Sequence, residues 1–271
     1  MFSRFLKLLA VGAAILAAAG CARTTQPGTV GVEREQILVV SSKEVDQAAA
    51  RQYAKVIGEA SRKGLLDRDP TEVQRVRTVA SRLIAQAGVF RPDASGWKWE
   101  THVLTSKELN AWVMPGGKVA VYTGLIEKLK LSDDELAAVM GHEIAHALRE
   151  HGRERISQQL LAGAAVGLAS ARLGLGQGGA QLVDMVAQVT FTLPYSRLHE
   201  QEADRIGVEL AARAGYDPRA AVAVWQKMAQ AGGGAPPEIL STHPSPTSRI
   251  KDLEVYSERV MPLYQAARRG S

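Results

Sequence analysis

His142-Glu143-Ile144-Ala145-His146, ten residues beyond Ser132-Asp133-Asp134-Glu135, is the stretch on which the reading of this chain turns. Ser132 as N-cap with Glu135 at the third helical position makes a capping box, which predicts a helix from Asp133 to at least His151. On that helix His142 and His146 differ by four positions, about 40° of rotation, so both imidazoles leave one face and can bind one ion. Glu143 follows the first histidine, where its carboxylate can take the proton of an attacking water without itself being a ligand. The ion expected is Zn²⁺, one per chain.

A catalytic zinc needs a third protein ligand and an open position. The elongated metzincin motif requires Gly and His where this chain has Arg149 and Gly152, which excludes that subclass. On a continuous helix His151 lies about 140° round from His146, pointing away as a packing or surface histidine. The better candidate is in Ser196-Arg197-Leu198-His199-Glu200-Gln201-Glu202-Ala203-Asp204. Glu200 and Asp204 share a helix face, so Glu200 can ligate while Asp204 accepts the remaining N–H of a ligand histidine. Glu202 points about 200° away from Glu200, and His199, adjacent to Glu200, is the weaker rival.

The rest of the chain supports one catalytic domain. Its 271 residues suffice for one sizeable core, and 46% hydrophobic with 5% aromatic residues describes an Ala-rich, mostly helical globular protein. Arg4 and Lys7 precede the apolar run Leu8 to Ala19, an export signal over residues 1–20. Cys21, the only cysteine, closes Leu16-Ala17-Ala18-Ala19-Gly20-Cys21, which resembles a lipobox with Ala18 where the pattern prefers Leu. Acylation of Cys21 is expected, with a flexible tether over residues 21–43 and the domain over 44–271. Ala22 in place of Asp resembles lipoproteins sorted to the outer membrane of a Gram-negative envelope, facing the periplasm. The formal charge of +5 becomes +3 without Arg4 and Lys7, and no basic cluster with interleaved aromatics argues for nucleic acid.

Between these landmarks the pattern predicts helices from about Glu44 to Ala87 with a break at Gly64 to Pro70, and strands at Trp97 to Leu104 and Lys118 to Thr123. The apolar, Gly-rich stretch of residues 160–190 reads as a helix, a loop at Gly174 to Gly179 and a second helix near the site, with membrane contact the lesser reading. A helix from Ser196 to Arg213 ends at Gly215-Tyr216-Asp217-Pro218; another carries Trp225, and a last begins at Thr247. No Gly-x-Ser-x-Gly motif is present and the lone cysteine lies at the tether, which argues against acyl-enzyme chemistry.

His142-Glu143-Ile144-Ala145-His146 with Ser196-Arg197-x-x-Glu200-x-x-Ala203-Asp204 resembles the zinc metallopeptidase superfamily of HtpX and the CAAX prenyl proteases, in its soluble periplasmic lipoprotein branch. The likeness extends from about residue 45 to 255 and includes Gly215-Tyr216-Asp217-Pro218 and Thr242-His243-Pro244. It implies an α+β, predominantly helical, zincin-like (gluzincin) domain with a small sheet and an active-site helix. It implies His142, His146 and Glu200 as zinc ligands, Glu143 as base and Asp204 behind a ligand. By the same likeness His243 approaches the zinc, for the transition state or in a latent form, and Arg249 faces the oxyanion. As residues alone, His243 also reads as a turn histidine and Arg249 as a surface charge. The strand with Gly117, Val119 and Val121 resembles the edge strand on which zincins lay an extended substrate; a structural hairpin has the same pattern. Implied partners are unfolded envelope polypeptides and the outer-membrane assembly machinery. The competing reading is a zinc-stabilised chaperone or assembly factor that cleaves rarely or never.

Overall fold

The computed structural model describes residues 20–167, 178–231, 238–244 and 247–270. Nearly all of the expected export signal, the Cys21 side chain, and the loops around Gly174 and Gly232 to Pro237 lie outside the described residues.

The N-terminal segment departs from the expected tether. Gly20–Ala22 (β1) pairs antiparallel with Gln36–Leu38 (β2), and the loop between them is folded onto the body. Its Thr, Gly and Pro content predicts mobility, but Val30 and Val32 are buried at 1% and 4% exposure and enter the main core. Backbone contacts seal it: Gln26 N–H donates to Phe90 O at 2.7 Å and Val30 N–H to Glu209 Oε2 at 2.9 Å. Gly28, at φ +60°, lies so close that a Cβ would come within 2.5 Å of the Phe90 ring.

Ser42–Arg62 (α1) opens on a Ser41/Glu44 capping box, and Pro70–Phe90 (α2) on Asp69 with Pro at its first position. Val73, Val76, Ala80, Leu83 and Ala87 repeat every three to four residues and bury one face of α2. Glu100–Leu104 (β3), Ala111–Met114 (β4) and Lys118–Tyr122 (β5) form a sheet in the order β3-β5-β4, with β3 parallel and β4 antiparallel to β5. The expected edge strand is therefore the central one. Val119 opposes both Thr101 and Val113, and Val121 both Val103 and Ala111, so β5 has neighbours on both sides. The antiparallel edge is β4. Gly116 and Gly117, at φ +78° and +82°, make the tight turn between these strands, and a Cβ on Gly117 would meet the Trp99 ring at 2.7 Å.

Thr123–Leu129 (α3) leads into Asp133–Leu148 (α4), whose start carries the Ser132/Glu135 capping box read from the sequence. The helix ends earlier than its pattern predicts. Glu150 takes a left-handed φ of +52°, and His151–Gly167 (α5) leaves in a new direction. Neither Gly nor Pro marks this break. Ser42 Oγ, at 2.6 Å, and Arg153, at 2.7 Å, hold the Glu150 carboxylate across the kink.

Gly178–Phe191 (α6), Arg197–Arg213 (α7), Ala220–Ala231 (α8), Glu238–Thr242 (α9) and Thr247–Arg269 (α10) complete the described helices. Buried from Glu135 to Leu148, α4 is the centre of the fold and packs most extensively against α7. The two backbones nearly touch at Gly141 and Gly207. A Cβ on Gly207 would come within 2.8 Å of His142 N, and one on Gly141 within 2.9 Å of Gly207 O. This close crossing brings residues of both helices to one point. Among the described residues no helix is long and apolar enough to cross a membrane.

Candidate metal centre

His142 and His146 project from α4 and Glu200 from the first turn of α7, whose N-cap Ser196 accepts from His199 N–H. His243 arrives from the loop after α9, its backbone N–H bonded to Ile239 O at 2.8 Å. One donor atom of each of the four lies within 4.8 Å of the others, and all four residues are buried. His146 Nε2 is 3.1 Å from His142 Nε2 and 3.3 Å from Glu200 Oε1; His243 Nδ1 is 3.3 Å from His142 Nε2 and 3.1 Å from Glu200 Oε1. Three imidazole nitrogens and a carboxylate converging in a dry interior suit Zn²⁺. Glu143 Oε1 is buried with no hydrogen-bond partner, 3.6 Å from His243 Nε2, so it keeps its accepting capacity.

Charge is balanced around this cluster. Burial pushes the Glu143 carboxyl up and the His146 imidazole down. Burial also opposes charge on His142, but hydrogen bonds to Asp204 and Glu200 outweigh it and raise that imidazole to about 9. Against a burial penalty, Glu200 is held low by His243, His142 and His146. Asp204, likewise buried, is held low chiefly by Arg249.

His142 and His146 each have a partner on Nδ1. Asp204 Oδ1 accepts from His142 Nδ1 at 2.9 Å, which leaves His142 Nε2 facing the other donors. Arg249, 1% exposed, grips both Asp204 oxygens at 2.7 Å, and its Nη1 lies 2.7 Å from Glu200 Oε2. His151 closes on His146 with Nδ1 to Nδ1 at 2.9 Å, and its Nε2 meets Glu202 Oε2 at 2.9 Å.

Peptidase family M48 is the family whose model matches this chain, over residues 70–257, 188 of its 271 residues. The chain belongs to peptidase family M48. Among curated M48 relatives, the mitochondrial metalloendopeptidase OMA1 of Schizosaccharomyces pombe is 38% identical over 204 residues, 74% of this chain and 58% of that protein. OMA1 of Arabidopsis thaliana is 40% identical over 179 residues, 65% of this chain and 35% of its own length. The beta-barrel assembly-enhancing protease of Escherichia coli is 31% identical over 209 residues, 72% of this chain and 41% of that protein. This chain thus spans between about a third and three fifths of the lengths of these relatives.

Within this M48 domain the structure brings together His142, Glu143, His146, Glu200, Asp204, His243 and Arg249. Two readings of single residues change. Arg249 is a buried partner of two carboxylates, not a surface charge. His151 does not point away, because α4 stops at Leu148 and the turn at Glu150 swings it back under His146. Val119 and Val121 belong to the central strand and Gly117 to the turn before it, so β5 is paired on both sides and not open to an added strand. Tyr195 and Trp225 carried no signal of their own, yet the Tyr195 ring lies 4.1 Å from that of His146 and the Trp225 ring 5.3 Å from that of His142. Tyr195 N–H also donates to Thr242 O at 2.9 Å, tying the approach to α7 to the loop that carries His243.

Proposed function

We propose that this chain is a zinc-dependent endopeptidase with Glu143 as general base. The observation that carries the reading is the buried convergence of His142, His146 and Glu200 beside a carboxylate oxygen of Glu143 that has no hydrogen-bond partner. His142, His146 and Glu200 would hold zinc, which when bound would supply the Lewis acidity that makes water nucleophilic near neutral pH and polarises a peptide carbonyl. Glu143 takes the attacking water's proton on its carboxylate and passes it to the leaving amine; its burial raises its proton affinity toward that task. No covalent acyl-enzyme is formed. His243, whose Nε2 lies 3.6 Å from Glu143 Oε1, is the group that meets the developing oxyanion. Arg249 is taken up by Asp204 and Glu200 and acts by fixing them. An extended substrate pairs with β4, the outer strand antiparallel to β5, by backbone hydrogen bonds that ask little of its sequence.

The substrates proposed are misfolded or stalled envelope polypeptides, with the chain held to the outer membrane on the periplasmic side through lipid on Cys21. Supporting this are the lipobox-like sequence and the likeness to a beta-barrel assembly-enhancing protease. OMA1, a mitochondrial relative, supports the endopeptidase chemistry rather than the compartment.

Bound zinc and cleavage of casein or an unfolded outer-membrane protein are measured for the wild type and Glu143→Gln. The variant keeps zinc and loses cleavage by about 10²-fold or more. A wild type that holds zinc and cuts nothing favours a second reading, a latent enzyme or assembly factor. One observation speaks for latency: His243 Nδ1 lies among the donors, 3.1 Å from Glu200 Oε1, where it can fill the fourth position. In such a wild type His243→Ala releases cleavage; in a wild type that already cuts, loss of cleavage in His243→Ala assigns His243 to the reaction instead.

A further inference from the structure

The two facing nitrogens of His146 and His151, 2.9 Å apart, can share one proton. His151 Nε2 faces Glu202 Oε2 at 2.9 Å, a carboxylate oxygen that only accepts, so Nε2 carries hydrogen. A histidine that gives Nε2 to a metal must hold its proton on Nδ1. With metal on His146, the shared proton therefore belongs to His146, and His151 Nδ1 accepts it.

Glu202 is fixed in turn. Arg34 donates from Nε to Oε1 at 2.9 Å and from Nη2 to Oε2 at 3.0 Å, while Arg149 Nη2 lies 3.3 Å from Oε1. The rest of the Arg34 fork is bound by Glu154 at 2.6 and 2.8 Å. His199, near Glu154 at 3.2 Å, stacks on the His151 ring at 4.5 Å and holds its plane. His151 is fully buried and Glu202 is 5% exposed, so the inner part of this path is shielded from solvent and Arg34 forms its partly exposed end.

We infer that His151, Glu202 and Arg34 are positioning residues of the metal centre. Arg34 sets the Glu202 carboxylate, Glu202 sets the His151 tautomer, and His151 orients the His146 ring with its lone pair toward the metal. The N-terminal segment that carries Arg34 is by this path a part of the site. The inference rests on the reading of His146 as a ligand.

Full-length wild type, His151→Phe, His151→Asn and Arg34→Gln are stripped of metal and titrated with Zn²⁺ against a chelator. The visible absorption of each protein loaded with Co²⁺ is recorded beside thermal melting of the metal-free forms. His151→Phe removes the acceptor but keeps the ring, and loses zinc affinity about 10- to 100-fold with an altered Co²⁺ spectrum. His151→Asn offers a carbonyl where Nδ1 stood and regains most of that loss, which a purely structural role would not produce. Arg34→Gln, at a side chain 27% exposed, folds and shows a smaller loss in the same direction. If His151→Phe melts before it can be titrated, the Arg34→Gln affinity and spectrum decide. Wild-type affinity and spectrum in both His151→Phe and Arg34→Gln overturn the inference alone. A wild type that binds no zinc overturns the reading of the ligands as well.

Discussion

Gly207→Ala tests how the site is assembled, because it changes no group that touches metal or substrate. The added Cβ would stand 2.8 Å from His142 N and 3.0 Å from Gly141 C, all backbone of α4, where ordinary contact begins at 3.4 Å. Relief of that overlap moves α7 away from α4 by about 0.6 Å, since neither partner is a flexible side chain. Glu200 and Asp204 travel with α7, while His142 and His146 stay on α4. The overpacking itself costs about 1–3 kcal/mol. The separation of ligands from the two helices weakens zinc further, and a misplacement of this order costs up to about 10²-fold in rate. Thermal melting, chelator competition for zinc and casein cleavage read these effects separately. Gly207→Ala melts lower, binds zinc more weakly and cuts more slowly, while Gly163→Ala, with no atom within 4 Å of its added Cβ, matches wild type in zinc binding and cleavage and melts no lower. Wild-type zinc affinity in Gly207→Ala would refute the claim that the Gly141/Gly207 contact sets ligand spacing.

Arg249→Ala leaves Asp204 and Glu200 buried without their cation and is expected to cost about 3–5 kcal/mol in chemical denaturation. Removal of zinc by a chelator lowers the melting temperature, because the donors come from α4, α7 and the His243 loop; at free zinc of 100 times Kd the linkage is worth about 2.7 kcal/mol. A melting temperature indifferent to chelator contradicts the site. Burial first, and then Glu150, raise Asp46 from 3.8 to about 6, against the opposing Arg91 and Arg153. Its folded-state proton affinity exceeds that of the unfolded chain, so stability falls as pH rises from 3.8 to about 6, and the whole penalty is present above that. At this half-buried position solvent screening leaves the effect at about 1 kcal/mol. Asp46→Asn is therefore more stable than wild type at pH 7.5 and equal to it near pH 3.5, as followed by urea denaturation at both pH values.

Local rules carried much of this architecture. The Ser132/Glu135 capping box gave the start of α4 and Ser196 the N-cap of α7, because caps are decided within four residues. Helical periodicity paired His142 with His146 and Glu200 with Asp204, because 3.6 residues per turn leave no choice once the helices exist. Where periodicity was extended past a break, it failed. His151 falls outside a site read on a continuous α4, because the left-handed Glu150 is neither Gly nor Asn and its carboxylate meets Ser42, 108 residues away in the chain.

By itself, then, the sequence offered candidate metal ligands and a candidate base, since the pairs His142/His146 and Glu200/Asp204 are each set by spacing within one helix. Only the tertiary structure decided that β5 is central rather than an edge, that residues 24–38 are bound rather than free, and that Arg249 is buried. Each of these depends on contacts between segments far apart in the chain. Strand order is not encoded in any one strand, and a polar or Gly-rich segment is mobile only if nothing elsewhere offers it a partner. Here Glu202, Glu154 and Glu209 offered one.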